Sequence, residues 1–82
     1  MASRQTLIEG IEAAIAGRWQ EAHRIAQANE DDRDYCWLHA CLHKIEGDEA
    51  NSRYWYRRSG HTFEAYADPK AELAAIKAAL TY

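Results

Sequence analysis

The stretch from residue 35 to residue 60, YCWLHACLHKIEGDEANSRYWYRRSG, decides the fold. Apolar residues occupy nearly every side of its first half, which predicts a helix that other elements cover from several directions. Gly47 and Asp48 then end one helix and begin another, and the second half carries a cluster of aromatic residues before it stops at Gly60. We therefore predict a central helix over residues 35–46, followed closely by a second helix.

Length and composition indicate one small helical domain. The chain has 82 residues, 48% of them hydrophobic, with one Pro and four Gly. That length suits a single domain, and the scarcity of Pro and Gly argues against a disordered chain. Alanine is abundant and runs of β-branched residues are missing, so helix is favoured over strand. The sequence predicts an all-α fold.

Net charge and cysteine usage indicate which classes of partner and which cellular compartment to expect. A net charge of -3, from 10 basic and 13 acidic residues, gives no reason to expect nucleic acid or an anionic membrane as a partner. Cys36 and Cys41 point about 140° apart on the central helix, so they cannot pair within it. The sequence shows neither an apolar signal core nor a run near the roughly 20 apolar residues of a membrane span. We expect a reduced, cytoplasmic protein.

Three further helices are predicted outside the central stretch. Residues 4–16 carry an apolar stripe, begin at a Ser3 or Thr6 cap and contain Gly10, which is typical of a close approach by a neighbouring helix. Residues 19–29 form the second helix. Asp68 followed by Pro69 begins a terminal helix with a narrow apolar stripe.

The acidic segment from residue 30 to residue 34, EDDRD, lies between the second helix and the central helix. Such a segment is typical of a solvated turn, in which Asp32 or Asp34 caps the helix that follows. The alternative interpretation is that its carboxylates bind a cation.

One internal repeat relates the two halves of the chain. Residues 17–22, GRWQEA, recur thirty positions later as residues 47–52, GDEANS, and each copy bridges a helix end and a helix start. A small residue, Gly10 or Ala40, precedes each copy by seven positions. Small residues at these positions allow two antiparallel helices to approach closely.

Residues 7–60 resemble tetratricopeptide repeats and their SEL-type relatives. The segment SRYWYRRS is similar to the SEL-type ending A-x-x-W-Y-R-K-A. Residues 37–60 also look like small uncharacterised microbial proteins with the motifs H-A-x-L-H-R-x-E-G-D and Y-W-Y-R-R-A-G. The resemblance implies a protein-binding role and a five-helix tetratricopeptide-like bundle. Its parts are two helical hairpins at residues 4–29 and 35–59 and a capping helix at residues 69–81.

Two histidines on the central helix suggest a metal or small-ligand site. His39 and His43 are four positions apart and share a helix face, with Glu46 one turn further on. Imidazoles at this spacing can bind zinc, and a carboxylate or another histidine such as His23 can complete the shell. The alternative interpretation is structural, with the rings hydrogen-bonded between packed helices. If a site exists, Glu46 and Asp48 are the expected carboxylate partners.

The function favoured by the sequence is protein interaction, including self-association as a homodimer. Three Trp, five Tyr and one Phe are many for so short a helical stack, and aromatic residues at a surface favour interfaces. Trp37, Tyr54 and Arg57 are predicted to lie nearest a partner. No catalytic residue and no obligatory cofactor is predicted, because Cys36 beside His39 lacks an orienting third group.

Overall fold

The computed structural model describes residues 3–81 as five α-helices and two single-turn 3₁₀ helices, with no strand in that range. The α-helices are α1 (Arg4–Ile15), α2 (Trp19–Ala26), α3 (Arg33–Glu46), α4 (Glu49–Ser59) and α5 (Pro69–Thr81), and the 3₁₀ turns are Gln27–Asn29 and Phe63–Ala65. The all-α prediction is confirmed. None of the five helices is long and apolar enough to cross a membrane.

Capping side chains and left-handed glycines set most of the helix boundaries. Asp32 accepts from the backbone N–H of Asp34 at 2.8 Å, so α3 begins two residues before its predicted start. Asp48 caps α4 by accepting from the N–H of Asn51. The helix α2 is shorter than predicted because its expected last turn is a 3₁₀ turn. Three helix ends have glycine at positive φ: Gly17 (84°), Gly47 (87°) and Gly60 (83°).

Small residues bring consecutive helices together. A Cβ on Gly10 would lie 2.8 Å from Cγ2 of Ile25 and 3.1 Å from Cδ2 of Leu38, so α2 and α3 approach α1 closely at this point. The hydroxyl of Ser52 donates to the carbonyl oxygen of Ala40 at 2.7 Å between α3 and α4. Each helix pair therefore folds back on itself at its glycine turn.

The central helix α3 contacts all four other α-helices, as expected from its apolar sequence. Every residue from 35 to 43 is buried. The terminal helix α5 packs against α1 and α3 through its predicted stripe of Leu73, Ile76 and Leu80. The core therefore surrounds α3.

A buried carboxylate joins α5 to the central helices. Glu72 is 0% exposed and accepts from Nε1 of Trp37 at 2.9 Å and from the hydroxyl of Tyr56 at 2.6 Å. Lys44 donates to its other oxygen at 2.8 Å. Trp37 was predicted to lie nearest a partner. The structure instead leaves Trp37 only 6% exposed, because its indole N–H is directed inward to Glu72.

Both cysteines are free and buried. Cys36 donates from Sγ to the carbonyl oxygen of Glu30 at 3.1 Å, and Cys41 donates to that of Pro69 at 3.6 Å. Burial is the main cause that raises the pKa of each thiol. Neither thiol is therefore activated as a nucleophile.

Candidate metal centre

Three histidines from two helices converge at the interface between α2 and α3. His23 is on α2, while His39 and His43 are on α3, and one ring nitrogen from each lies within 4.8 Å of the others. Nε2 of His39 is 3.1 Å from Nε2 of His23. The three residues named from the sequence as possible imidazole ligands therefore share one site, which we call the histidine cluster.

Trp19 fixes the position of α2 against α3. Its indole N–H donates to the carbonyl oxygen of Leu42 at 2.9 Å. The Trp19 and His23 rings are stacked, with centroids 4.6 Å apart and planes 9° apart. Because His23 is one turn after Trp19, the indole orients the imidazole toward α3.

Trp55 covers the histidine cluster from α4. Its ring stacks on His39 with centroids 4.0 Å apart and planes 17° apart. His39 and His43 are 3% and 6% exposed, whereas His23 is half-buried. The cluster is therefore closed on the α4 side and most exposed at His23.

Glu46 orients His43. Nδ1 of His43 lies 2.5 Å from Oε1 of Glu46, and in the neutral tautomer that donates to this carboxylate the free lone pair is on Nε2. A carboxylate bonded to the outer nitrogen is the usual support of a metal-bound histidine, because it fixes the tautomer and increases the basicity of the ligand. Asp48 adds a second carboxylate near His43 at the exposed edge.

Burial keeps two of the imidazoles neutral at neutral pH. Burial is the main cause that lowers the pKa of His39 to about 3, and the nearby His23 and His43 contribute to this shift. Burial is also the main cause that lowers the pKa of His23, with His43 adding to the effect and Glu46 opposing it. Neutral imidazoles offer lone pairs, so a metal ion would not have to displace protons from these rings.

The separation of one nitrogen pair suits a small transition metal ion. Zinc binds imidazole at about 2.0–2.1 Å, and two tetrahedral ligands at that distance are about 3.3 Å apart. The separation of 3.1 Å between His23 and His39 is close to this value. Three imidazoles suit zinc, copper or nickel, whereas calcium and magnesium prefer oxygen ligands.

The second ring nitrogen of His39, Nδ1, is buried. Nδ1 of His39 has no hydrogen-bond partner among the described residues. A neutral His39 ring that bound a metal ion at Nε2 would carry its proton on Nδ1, where no acceptor lies among the described residues, and this costs free energy. Metal binding at Nε2 of His39 would replace only its contact with His23.

Of the three residues predicted to lie nearest a partner, two are exposed and one is buried. Tyr54 is 43% exposed and Arg57 is exposed one turn later on the same side of α4. Trp37 is inside, stacked on His61 with centroids 3.6 Å apart. Only Tyr54 and Arg57 therefore share an exposed surface.

Sequence reasoning missed the two indoles that orient the histidine cluster. Trp19 is one helical turn before His23, and this spacing was a usable signal. The stacking of Trp55 on His39 depends on how α4 packs on α3, and nothing in the local pattern indicates it. The assembled site presents three nitrogen donors, one of them supported by a carboxylate, and it is most exposed at His23.

No protein-family model, curated protein or solved structure matches this chain.

Proposed function

We propose that this protein binds a divalent transition metal ion of the zinc type through His23, His39 and His43. The observation that carries the proposal is the convergence of three imidazoles. One of them, His43, forms a hydrogen bond to Glu46 through Nδ1. Three nitrogen ligands leave one tetrahedral position for water or for an added ligand.

The metal ion has a structural consequence, because its ligands come from two helices. The short helix α2 buries only Ala22 and Ala26 fully, while Trp19 and Ile25 are partly buried against the core. A metal ion bound to His23 and to the two α3 histidines would link α2 to the core. An ion that binds the folded state alone stabilises it by an amount that increases with the logarithm of its free concentration once that concentration exceeds Kd.

Thermal unfolding with and without zinc tests the proposal. The protein is purified without a histidine tag, stripped with a chelator and titrated with zinc. We expect a higher melting temperature, because a ligand present at 100 times its Kd adds about 2.7 kcal/mol of stability. In a domain of this size, that corresponds to an increase on the order of 10 °C.

Two variants separate metal binding from folding. His23→Gln changes the most exposed ligand, so the metal-free fold should persist while the zinc-dependent increase disappears. His61→Gln is the matched control, because His61 is the one histidine outside the cluster. An unchanged zinc response in His23→Gln, or none in the wild-type protein, would refute the proposal.

Glu46→Gln tests the supporting carboxylate. The amide retains an oxygen that can accept from Nδ1 of His43 but removes the negative charge. Loss of such a partner lowers metal affinity by about 10–100-fold. Calorimetric titration of the variant with zinc measures the change, and equal affinities would show that Glu46 does not support the site.

A second candidate function is self-association through α4. We infer it from Tyr54, which is 43% exposed and has Arg57 one turn away. Tyr and Arg are enriched among the residues that dominate binding energy, and a twofold dimer is the commonest assembly. Light scattering at micromolar concentration should detect a dimer that Tyr54→Ser disrupts. A wild-type monomer under these conditions would exclude this candidate.

A further inference from the structure

A cavity of about 550 Å³ opens where the ends of α1 and α3 meet the beginning of α5. Its apolar lining includes Ala14 and Ile15 from α1, Ile45 from α3, and Pro69 and Leu73 from α5. Small-molecule sites usually occupy about 300–1,000 Å³ and are mostly apolar. The cavity has the size and composition of a ligand site. It shares no residue with the histidine cluster.

The rim of the cavity exposes large apolar side chains. Ile15 is 53% exposed and Ile45 is 44% exposed, and both line the opening. Tyr54 is the one other large hydrophobic residue exposed in the described part of the chain. Apolar residues gathered at a concave surface gain free energy when an apolar ligand covers them.

The size of the cavity favours a small molecule over a protein partner. Ten residues line it. A stable protein interface uses roughly 20–30 residues on each side. The cavity by itself is therefore too small for a protein interface and large enough for a short acyl or aromatic group.

Three charged residues line the cavity: Lys44, Asp68 and Lys70. Lys44 lines the cavity, but its ammonium donates to Glu72 and to two carbonyl oxygens. Asp68 accepts from the backbone N–H of Lys70 at 3.0 Å and so caps α5. Lys70 is exposed and forms no ion pair with a carboxylate of residues 3–81. The hydrogen bonds and ion pairs of residues 3–81 therefore engage the Lys44 ammonium and one oxygen of Asp68, and none of them engages the Lys70 ammonium.

We propose that this cavity binds small amphipathic carboxylates. The apolar body lies against Leu73 between Ile15 and Ile45, and the carboxylate pairs with the Lys70 ammonium at the rim. The site is independent of the metal centre, so the same binding is expected with and without zinc.

Octanoate is the probe, and octanol and octylammonium are the matched comparisons at concentrations below micelle formation. Titration followed by methyl NMR should shift the signals of Ile15, Ile45 and Leu73. Octanoate should bind more tightly than octanol, and octylammonium most weakly. Lys70→Gln should weaken octanoate by about two- to fivefold, the effect of a solvent-exposed ion pair, and leave octanol unchanged.

A blocking variant tests the location. Ala16 is exposed and lines the cavity, so Ala16→Trp should fill the cavity without disturbing the core. Ala50→Trp, at an exposed position on α4, is the control. Octanoate binding should be lost in Ala16→Trp and kept in Ala50→Trp. No methyl shifts, equal affinity for octanoate and octylammonium, or undiminished binding in Ala16→Trp would each overturn the proposal.

Discussion

The ammonium of Lys44 lies 2.8 Å from a carboxylate oxygen of Glu72, and the two side chains are 8% and 0% exposed. The second oxygen of Glu72 accepts from Trp37 and Tyr56, and Lys44 also donates to two backbone carbonyls. This buried pair therefore has its hydrogen-bonding groups satisfied by α3, α4, α5 and the segment before α5. Such completeness is what makes a buried charge tolerable.

Glu72→Leu should strongly destabilise the protein. The change leaves the Lys44 charge and two buried donors without their acceptor, and breaking a buried pair in this way costs about 3–5 kcal/mol. Urea denaturation measures the loss. Glu12→Leu is the control, because the Glu12 pair with Lys77 is solvent-exposed and worth about 1 kcal/mol or less. Similar losses in the two variants would contradict a special role for Glu72.

Gly47→Val should cost about 1–3 kcal/mol through backbone strain alone. Gly47 has φ of 87°, and an added Cβ would lie in open space, with none of the atoms beyond the adjacent residues within 4 Å of it. Gly47→Asn is the control, since asparagine adopts this conformation more readily. Thermal unfolding compares the two, and an unchanged melting temperature in Gly47→Val would show that the turn can rearrange.

Gly10→Ala should destabilise the protein even though alanine favours helix by about 1 kcal/mol. Its Cβ would meet Cγ2 of Ile25 at 2.8 Å, and overpacking costs about 1–3 kcal/mol. Adding Ile25→Ala removes the obstructing carbon. A double-mutant cycle should therefore show a favourable coupling of at least about 0.5 kcal/mol. Additive effects would place the strain elsewhere.

The metal-free protein should lose stability as the pH falls below about 6.5. The pKa of His39 is 6.5 in the unfolded reference and about 3 in the folded state, so the unfolded chain takes up the proton first. The contribution is complete above pH 6.5 and decreases toward pH 3, by at most about 1.4 kcal/mol per pH unit. Urea denaturation of the chelator-treated protein at several pH values measures the slope.

His39→Phe is the matched variant for the pH experiment. Phenylalanine retains a ring that can stack on Trp55 and removes the titrating group. Its stability should therefore change less between neutral pH and about pH 5, above the range in which most carboxylates titrate. Equal slopes in the variant and the wild-type protein would contradict the assignment to His39.

Local sequence signals were sufficient for the five helices and for several of their ends, although α2 is shorter than predicted and α3 begins two residues earlier. Gly47 and Asp48 indicate the α3–α4 turn, because a left-handed glycine and a capping aspartate depend on the residues at those positions. Gly10 likewise indicates a close helix contact. The spacing of His39 and His43 likewise indicated a shared face. These features follow from helix geometry alone.

Contacts between distant residues could not be predicted in the same way. Glu72 is four residues before Ile76 on the same stripe, which was the available sign that it faces the core. Its partners Trp37 and Lys44 are 35 and 28 residues away, and only the packing of α5 on α3 brings them together. The surface prediction for Trp37 failed for this reason.

The placement of the three tryptophans allows intrinsic fluorescence to report on the histidine cluster. Trp19 and Trp55 stack on histidines of the cluster, whereas Trp37 stacks on His61 and donates to Glu72. A paramagnetic ion such as copper(II) at the cluster would quench the fluorescence of the two stacked indoles first. The remaining emission would come from the buried Trp37. Intrinsic fluorescence can therefore follow metal occupancy and the integrity of the α5 contact separately, without a label.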